Sequence, residues 1–415
     1  MALNPTPINN RNTGQSQSNF SPDLAQELLN LYGSPLYVYD ANYLRQTIRH
    51  ITQAIPYPHT QFCFASVTNG NISLLQIFRD ACWGLHANTP GDIYLGLQAG
   101  FSPQQIVYSG SNLNQEEMRQ VLSWGVSTLN LDSLAQLQLC CDAYQFLPAA
   151  SKPQSLRLGL RLNEPTLTGD SRIGVRPQEF PAAIALTKSA QLKLSGLHFY
   201  RGTRTNATAA FTQVIESILA IAQQLPDWQY LDFGGGFGYL YQHQGATFNW
   251  NQFGQALTEQ LQKLGRSIEL VIEPGRAAIA GCAVLLTTIV SVKWQDHKQL
   301  VGVDTTVANL SVPSVHGGYR KIVALTAPLS DSLYTTDVCG NTTYSRDYLG
   351  RNCQLPQLAV GDILAILDVG AYGYAMSSHF LHRPRPAEVL LTQNQHRLIR
   401  DREDYRVLSA NQVFS

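Results

Sequence analysis

Strand-length apolar runs alternate with helix-length amphipathic stretches through the first two-thirds of the chain. The runs fall at 62–67, 84–88, 106–110, 127–132, 156–163, 192–200, 230–236 and 270–274. Between them lie "SLLQIFRDACW", "SLAQLQLCCDAYQFL", "FTQVIESILAIAQQL" and "FGQALTEQLQKLG", whose apolar residues recur every three or four positions. Eight strands separated by helices predict a (β/α)8 barrel; a doubly wound open sheet would usually carry fewer strands. After about residue 283 the pattern changes to β-branched runs and turns, "VLLTTIVSVKW", "QLVGVDTT", "RKIVAL", "DILAILDVG" and "PAEVLLT", which predicts a β-rich second domain. Ahead of the barrel, "DLAQELLNLYG" reads as a helix and "PLYVYD" as a strand. The expected organisation is a disordered tail over 1–21, rich in Asn, Gln, Ser and Pro, then a helix and strand over 22–42 that join the β domain. The barrel follows over 43–282 and the β domain over 283–415.

Composition narrows the function classes. The 415 residues carry 29 basic and 29 acidic side chains, with no basic helix or basic-aromatic repeat, so nucleic acid is not an expected partner. No apolar run approaches membrane-spanning length and the start lacks a signal-peptide pattern, so a soluble cytoplasmic protein is expected. Seven cysteines include no CxxC pair, and Cys140 and Cys141 are adjacent on a predicted helix, which suits reduced, buried thiols and no metal.

A barrel of this kind places its chemistry beyond the C-terminal ends of its strands, with phosphate often held after the last two. Gly234, Gly235 and Gly236 follow "YLDF", where bare backbone can approach an anion or simply make a tight turn. Glu273-Pro274-Gly275-Arg276 follows "LVI" and suits a ligand with a cationic ring and an anionic group; alone, it could be a rim salt bridge. Arg161, His198, Tyr200 and Thr203 stand at other strand ends, and Tyr372 in the glycine-lined "DVGAYGYAMSS". Each alone is compatible with packing; together on successive strands they favour a phosphate-bearing cofactor. The first barrel strand ends in "FCFASVTNGN", where Cys63, Ala65 and Val67 share one side, so the last inward position before the polar turn holds Val67.

With "GLHFYRGT", "LDFGGGFG", "IEPGR", "LPQLAVGDILAILDVGAYGYAMSSHF" and "RPRPAEVLL" in this order, the chain from about residue 34 to 412 resembles the fold-type III pyridoxal-phosphate-dependent amino-acid decarboxylases. These act on diaminopimelate, ornithine, arginine and carboxynorspermidine, and the likeness is strongest to the diaminopimelate branch. The resemblance implies an alanine-racemase-like barrel with a C-terminal β domain, and a homodimer with active sites at the subunit interface. It implies that Gly234 to Gly236, Gly275, Arg276 and Tyr372 hold the cofactor phosphate, with Thr203 in place of the family's serine. Glu273 would face the pyridine nitrogen and keep it protonated, Arg161 would lie near the cofactor, and Tyr200 would stack where the family has histidine.

The same alignment exposes departures. The family's aromatic-Ala-x-Lys-Ala-Asn corresponds to "FASVTN", so Val67 stands at the Schiff-base lysine and cannot form an imine or transfer a proton. The family's Cys-Glu-Ser-Gly-Asp becomes Thr343-Tyr344-Ser345-Arg346-Asp347, its Arg-Pro becomes Val312-Pro313, and an aspartate becomes His86. Tyr344, Asp347 and His86 remain candidates for substrate contact. None of the seven lysines (152, 188, 193, 263, 293, 298 and 321) is expected at the mouth, although Lys321 reaching a site stays open. The first reading is a divergent homologue that binds pyridoxal phosphate, or its amino-acid adduct, non-covalently and has little ordinary decarboxylase activity. An active carboxy-lyase or other cofactor enzyme using altered residues is the second. The third is a scaffold, pairing with an active homologue in mixed dimers.

Overall fold

Eight short parallel strands close on themselves: β2 (Thr60–Ala65), β3 (Gly84–Ala87), β4 (Ile106–Tyr108), β5 (Thr128–Leu131), β6 (Arg157–Arg161), β7 (Leu194–His198), β8 (Tyr230–Asp232) and β9 (Glu269–Ile272). The computed structural model describes residues 21–413 except 154, 203–205, 243–244, 326–331 and 394. Closure runs through the pairing of Thr60–Phe62 with Leu270–Ile272. The (β/α)8 barrel read from the periodicity is the observed architecture. Alternation along β2 sorts its side chains: Phe62 and Phe64 face the helices, stacked on Trp83 and Phe78 at ring separations of 5.2 and 3.8 Å. Cys63 turns inward, against Val107 of β4 and Val271 of β9.

The barrel interior is partly polar. Tyr230 lies across it, its hydroxyl donating to Asn130 Oδ1 at 2.9 Å. Only glycine fits beneath this ring: a Cβ on Gly196 would stand 1.9 Å from Tyr230 Cζ.

The helix Ala41–Ala54 joins the two domains. Asp40 caps it, accepting from the backbone of Asn42 and Tyr43, and Leu44, Ile48 and Ile51 are buried along one face. Each such aliphatic side chain contributes about 1.5–3 kcal/mol on burial.

The second sheet is nine-stranded among the described residues. It contains β1 (Leu36–Asp40), β10 (Ala283–Gln295), β11 (Lys298–Val303), β12 (Ile322–Ala324), β13 (Leu333–Cys339), β14 (Tyr348–Pro356), β15 (Ile363–Leu367), β16 (Ala387–Thr392) and β17 (Gln395–Arg400). β1 enters this sheet between β10, antiparallel, and β16, parallel.

Several local expectations are corrected. Ser21 is part of an ordered cap, its hydroxyl accepting from Leu24 N at 3.1 Å, while the rest of the expected tail lies outside the described residues. The stretch 211–225 forms two helices, Thr208–Thr212 and Ile215–Ala222, rather than one. β14 and β17 escape the hydrophobic pattern because each exposes polar side chains along much of its length, and β13 because it buries polar Thr336 and Asp337 while exposing Leu333. β2 stops at Ala65, and Val67 sits on a 3-10 turn, Ser66–Thr68, rather than on the strand. The seven cysteines are all free thiols. Among the described residues no helix is long and apolar enough to cross a membrane.

Candidate active site

The turn after β2 is tied down from several sides. Ala65 N donates to Pro274 O at 3.3 Å, and Tyr372 N to Thr68 O at 2.9 Å. Asn69 donates to Tyr39 Oη and Gly370 O, both at 3.1 Å. Asn71 donates to buried Glu388 at 2.9 Å, and Glu388 also accepts from Tyr39 Oη at 2.6 Å and pairs with Arg400. Held in this way, Val67 is 43% exposed and faces a cavity at the C-terminal ends of the barrel strands.

That cavity, of about 250 Å³, collects residues from nearly every strand end. Val67, His86, Arg161, His198, Tyr200, Gly235, Gly236, Glu273, Gly275, Arg276 and Tyr372 line it, with Ala65, Thr68, Asn88, Ile173 and Phe237. Gly234 lies beneath, at φ +66°, where a Cβ would stand 2.1 Å from Phe199 O. At Gly236, φ +95°, a Cβ would stand 2.3 Å from Gly202 O. The glycine run is therefore a close-packed backbone cradle as well as a turn. Thr203 lies outside the described residues. A larger hollow of about 510 Å³ opens at the opposite end of the barrel around the Arg157–Glu269 ion pair. It is shallow and gathers no glycine cradle, so the smaller cavity is the better candidate.

Glu273 forms the floor, 2% exposed. His86 Nε2 lies 3.5 Å from its Oε1 and His198 Nε2 3.4 Å from its Oε2. Burial pushes Glu273 up to about 7 and His198 down to about 4, and lowers His86 as well, so at neutral pH the imidazoles are uncharged and these contacts are not ion pairs. Asp232 is raised by burial and then by the neighbouring Glu273 carboxyl, so a second negative charge is disfavoured on this floor. Asp232 is held by Asn130 Nδ2 at 2.7 Å and Gly234 N at 3.0 Å. His198, Asp232 and Glu273 bring ligating atoms within 4.8 Å of one another, but these two bonds already engage both oxygens of Asp232.

Cations and aromatic rings form the walls. The Arg161 guanidinium lies 5.0 Å from the Tyr200 ring centroid, its pKa lowered by burial. Arg276 lies 4.7 Å from the Tyr372 ring and donates to Tyr241 Oη at 3.1 Å. Tyr372 takes φ +59°, a conformation unusual for a tyrosine and held by its bond to Thr68. Buried His86 and His198 nitrogens and Glu273 Oε1 have no hydrogen-bond partner among the described residues, which leaves a polar floor open to a ligand.

Tyr344 and Asp347 do not line the cavity. Asp347 is buried and accepts from Val307 N at 2.7 Å and Thr342 N at 3.1 Å, so its carboxylate joins two loops. Tyr344 packs edge-on against Phe380, and Thr343 is exposed. The sequence reading passed over Asp232, although an aspartate directly before three glycines is a visible signal, and it passed over Tyr241.

Residues 42–280 match the family model described as "Pyridoxal-dependent decarboxylase, pyridoxal binding domain". The chain belongs to the pyridoxal-dependent decarboxylase family. Within it, the chain is 31% identical to diaminopimelate decarboxylase of Methanothermobacter thermautotrophicus, over 94% of each protein. The crystal structure of Helicobacter pylori diaminopimelate decarboxylase complexed with L-lysine aligns with a TM-score of 0.84 and 27% identity, covering 93% of this chain and 98% of that one. Lysine/ornithine decarboxylase of Vibrio vulnificus, solved with cadaverine, shares the fold at a TM-score of 0.79 and 20% identity, over 89% and 96% of the two chains.

The buried floor has a pH signature. Between pH 4.5 and about 7 an unfolded chain releases the Glu273 proton while the folded one keeps it, so this group costs stability as pH rises. His198 acts in the opposite sense: its contribution is lost as pH falls from 6.5 to about 4. Removing the acid leaves the imidazoles unopposed. The melting temperature of ligand-free Glu273→Gln should therefore rise with pH between about 4 and 6.5 more steeply than that of the wild type. Parallel profiles would show that Glu273 titrates as an ordinary exposed carboxylate.

Proposed function

We propose that the cavity binds pyridoxal phosphate, or its adduct with an amino acid, without a covalent bond, and that ordinary decarboxylation is largely lost. The observation that carries this reading is Val67: a valine faces the cavity from the turn after β2, and no lysine lines it among the described residues. Lys321, the one left open, is exposed and leads into β12 instead.

The residues present fit the cofactor. Gly234, Gly235, Gly236 and Gly275 would give backbone access to the phosphate, with Arg276 and Tyr372 beside it. Tyr200 would cover the ring face and Arg161 would sit near the ring. Glu273 would meet the ring nitrogen; a cationic ring there would draw its raised pKa back down and favour the carboxylate. When bound, the cofactor supplies an electron-withdrawing protonated ring. Among the described residues no lysine lines the cavity to anchor it and to move protons beside it. Loss of a positioned acid–base group costs typically ~10²–10⁴ in rate. Retention of Arg161 and Glu273 supports the second reading, a slow carboxy-lyase or another reaction on an amino acid, with His86 beside Glu273 as the altered floor residue.

The subunit arrangement we propose is a homodimer. Arg346 Nη2 donates to Ser314 O at 2.8 Å and Tyr344 packs on Phe380, which brings exposed Val315, Tyr319 and Phe380 onto neighbouring segments. An apolar group of this kind suits a subunit interface.

Release of carbon dioxide from diaminopimelate, ornithine, arginine and lysine, with excess pyridoxal phosphate, should run ~10²–10⁴-fold below that of a lysine-bearing relative. Turnover comparable to such a relative, abolished by Glu273→Ala, would establish the enzyme reading instead. Sedimentation equilibrium should return twice the 45.9 kDa chain mass; the mass of a single chain would refute the dimer.

A further inference from the structure

His86 and His198 stand at the ends of β3 and β7, Glu273 directly follows β9, and all three line the cavity. They are 7, 1 and 2% exposed. Both ring nitrogens of each histidine, and Glu273 Oε1, lack a hydrogen-bond partner among the described residues. Three buried polar groups on one cavity floor thus carry a desolvation cost that a ligand in the cavity would relieve.

The spacing of their atoms narrows that ligand. His86 Nε2 stands 3.5 Å from Glu273 Oε1 and His198 Nε2 3.4 Å from Oε2, yet neither nitrogen makes a hydrogen bond. Two ligand atoms on a tetrahedral zinc ion, with bonds of about 2.0–2.2 Å, lie about 3.3–3.6 Å apart. Both separations fall in that range, on the two sides of one carboxylate. Asp232 also lies near His198, but Asn130 and Gly234 already engage its oxygens, so His86 completes the set. Two imidazoles disfavour magnesium and calcium, which take oxygen ligands. The expectation of no metal rested on the cysteines, and none of them lines this cavity.

We propose that His86, His198 and Glu273 form a binding site for one divalent cation of the zinc class, with its fourth position open to the cavity. This goes beyond the cofactor reading and does not depend on it. Zinc and pyridoxal phosphate would both draw on Glu273 and so exclude one another.

The test uses the untagged chain, stripped of metal and titrated with zinc in competition with a chromophoric chelator. One equivalent should bind per chain, undisturbed by excess magnesium. Loss of an outer partner of a metal ligand already costs about 10–100-fold in affinity, so His86→Leu and Glu273→Gln should each weaken zinc binding at least about 100-fold. His297→Ala, altered at the exposed turn between β10 and β11, should bind as the wild type does. X-ray absorption of the zinc-loaded wild type needs no variant, and should show nitrogen and oxygen ligands that include two imidazoles. Absence of zinc binding, or sulfur in the ligand shell, would overturn the assignment. So would binding unchanged in both cavity variants, which would mark an adventitious ion only. Pyridoxal phosphate bound undiminished at saturating zinc would also overturn it. Failure of pyridoxal phosphate to bind the metal-free chain would remove the cofactor reading and leave the zinc site standing.

Discussion

The hydrogen-bond network around Glu388 is the constraint on which the site depends. This fully buried carboxylate takes Tyr39 from β1, Asn71 from the turn after β2 and Arg400 from β17. Asn69 adds bonds to Tyr39 and to Gly370, just before Tyr372. A barrel turn and a sheet are thus locked by polar groups, because removing a partner of the buried Glu388 leaves a desolvated carboxylate oxygen unpaired. The lock sets the mouth of the barrel against the β domain. It fixes which side chain the turn presents to the cavity, and that side chain is Val67.

The floor below obeys a different constraint. Two carboxyls and two imidazoles are buried here, and burial drives all four toward their neutral forms. Cations gather instead along the walls, at Arg161 and Arg276. A neutral floor and cationic walls suit a ligand with one ring and more than one anionic group.

Much of the fold was legible because it is written locally. The eight barrel strands and the strand β1 announce themselves as apolar runs between amphipathic stretches, and the glycine run and the Glu-Pro-Gly-Arg segment mark the strand ends that line the cavity. What was not legible depends on contacts between distant segments. β14 and β17 are half-exposed edge strands and β13 buries polar Thr336 and Asp337, so no hydrophobic alternation reveals them. Asp347 looked like a substrate group by its place in a motif, but its bonds to Val307 and Thr342 make it a loop joint. Nothing local marks Arg320, because its burial against Tyr241 links positions far apart in the chain.

The most direct measurement is titration of the purified chain with pyridoxal phosphate, followed by borohydride reduction and intact mass. Saturable binding with no gain in covalent mass is expected, since no lysine lines the cavity among the described residues. A gain of one reduced cofactor, mapped to a single lysine, would contradict it and establish a relocated covalent anchor.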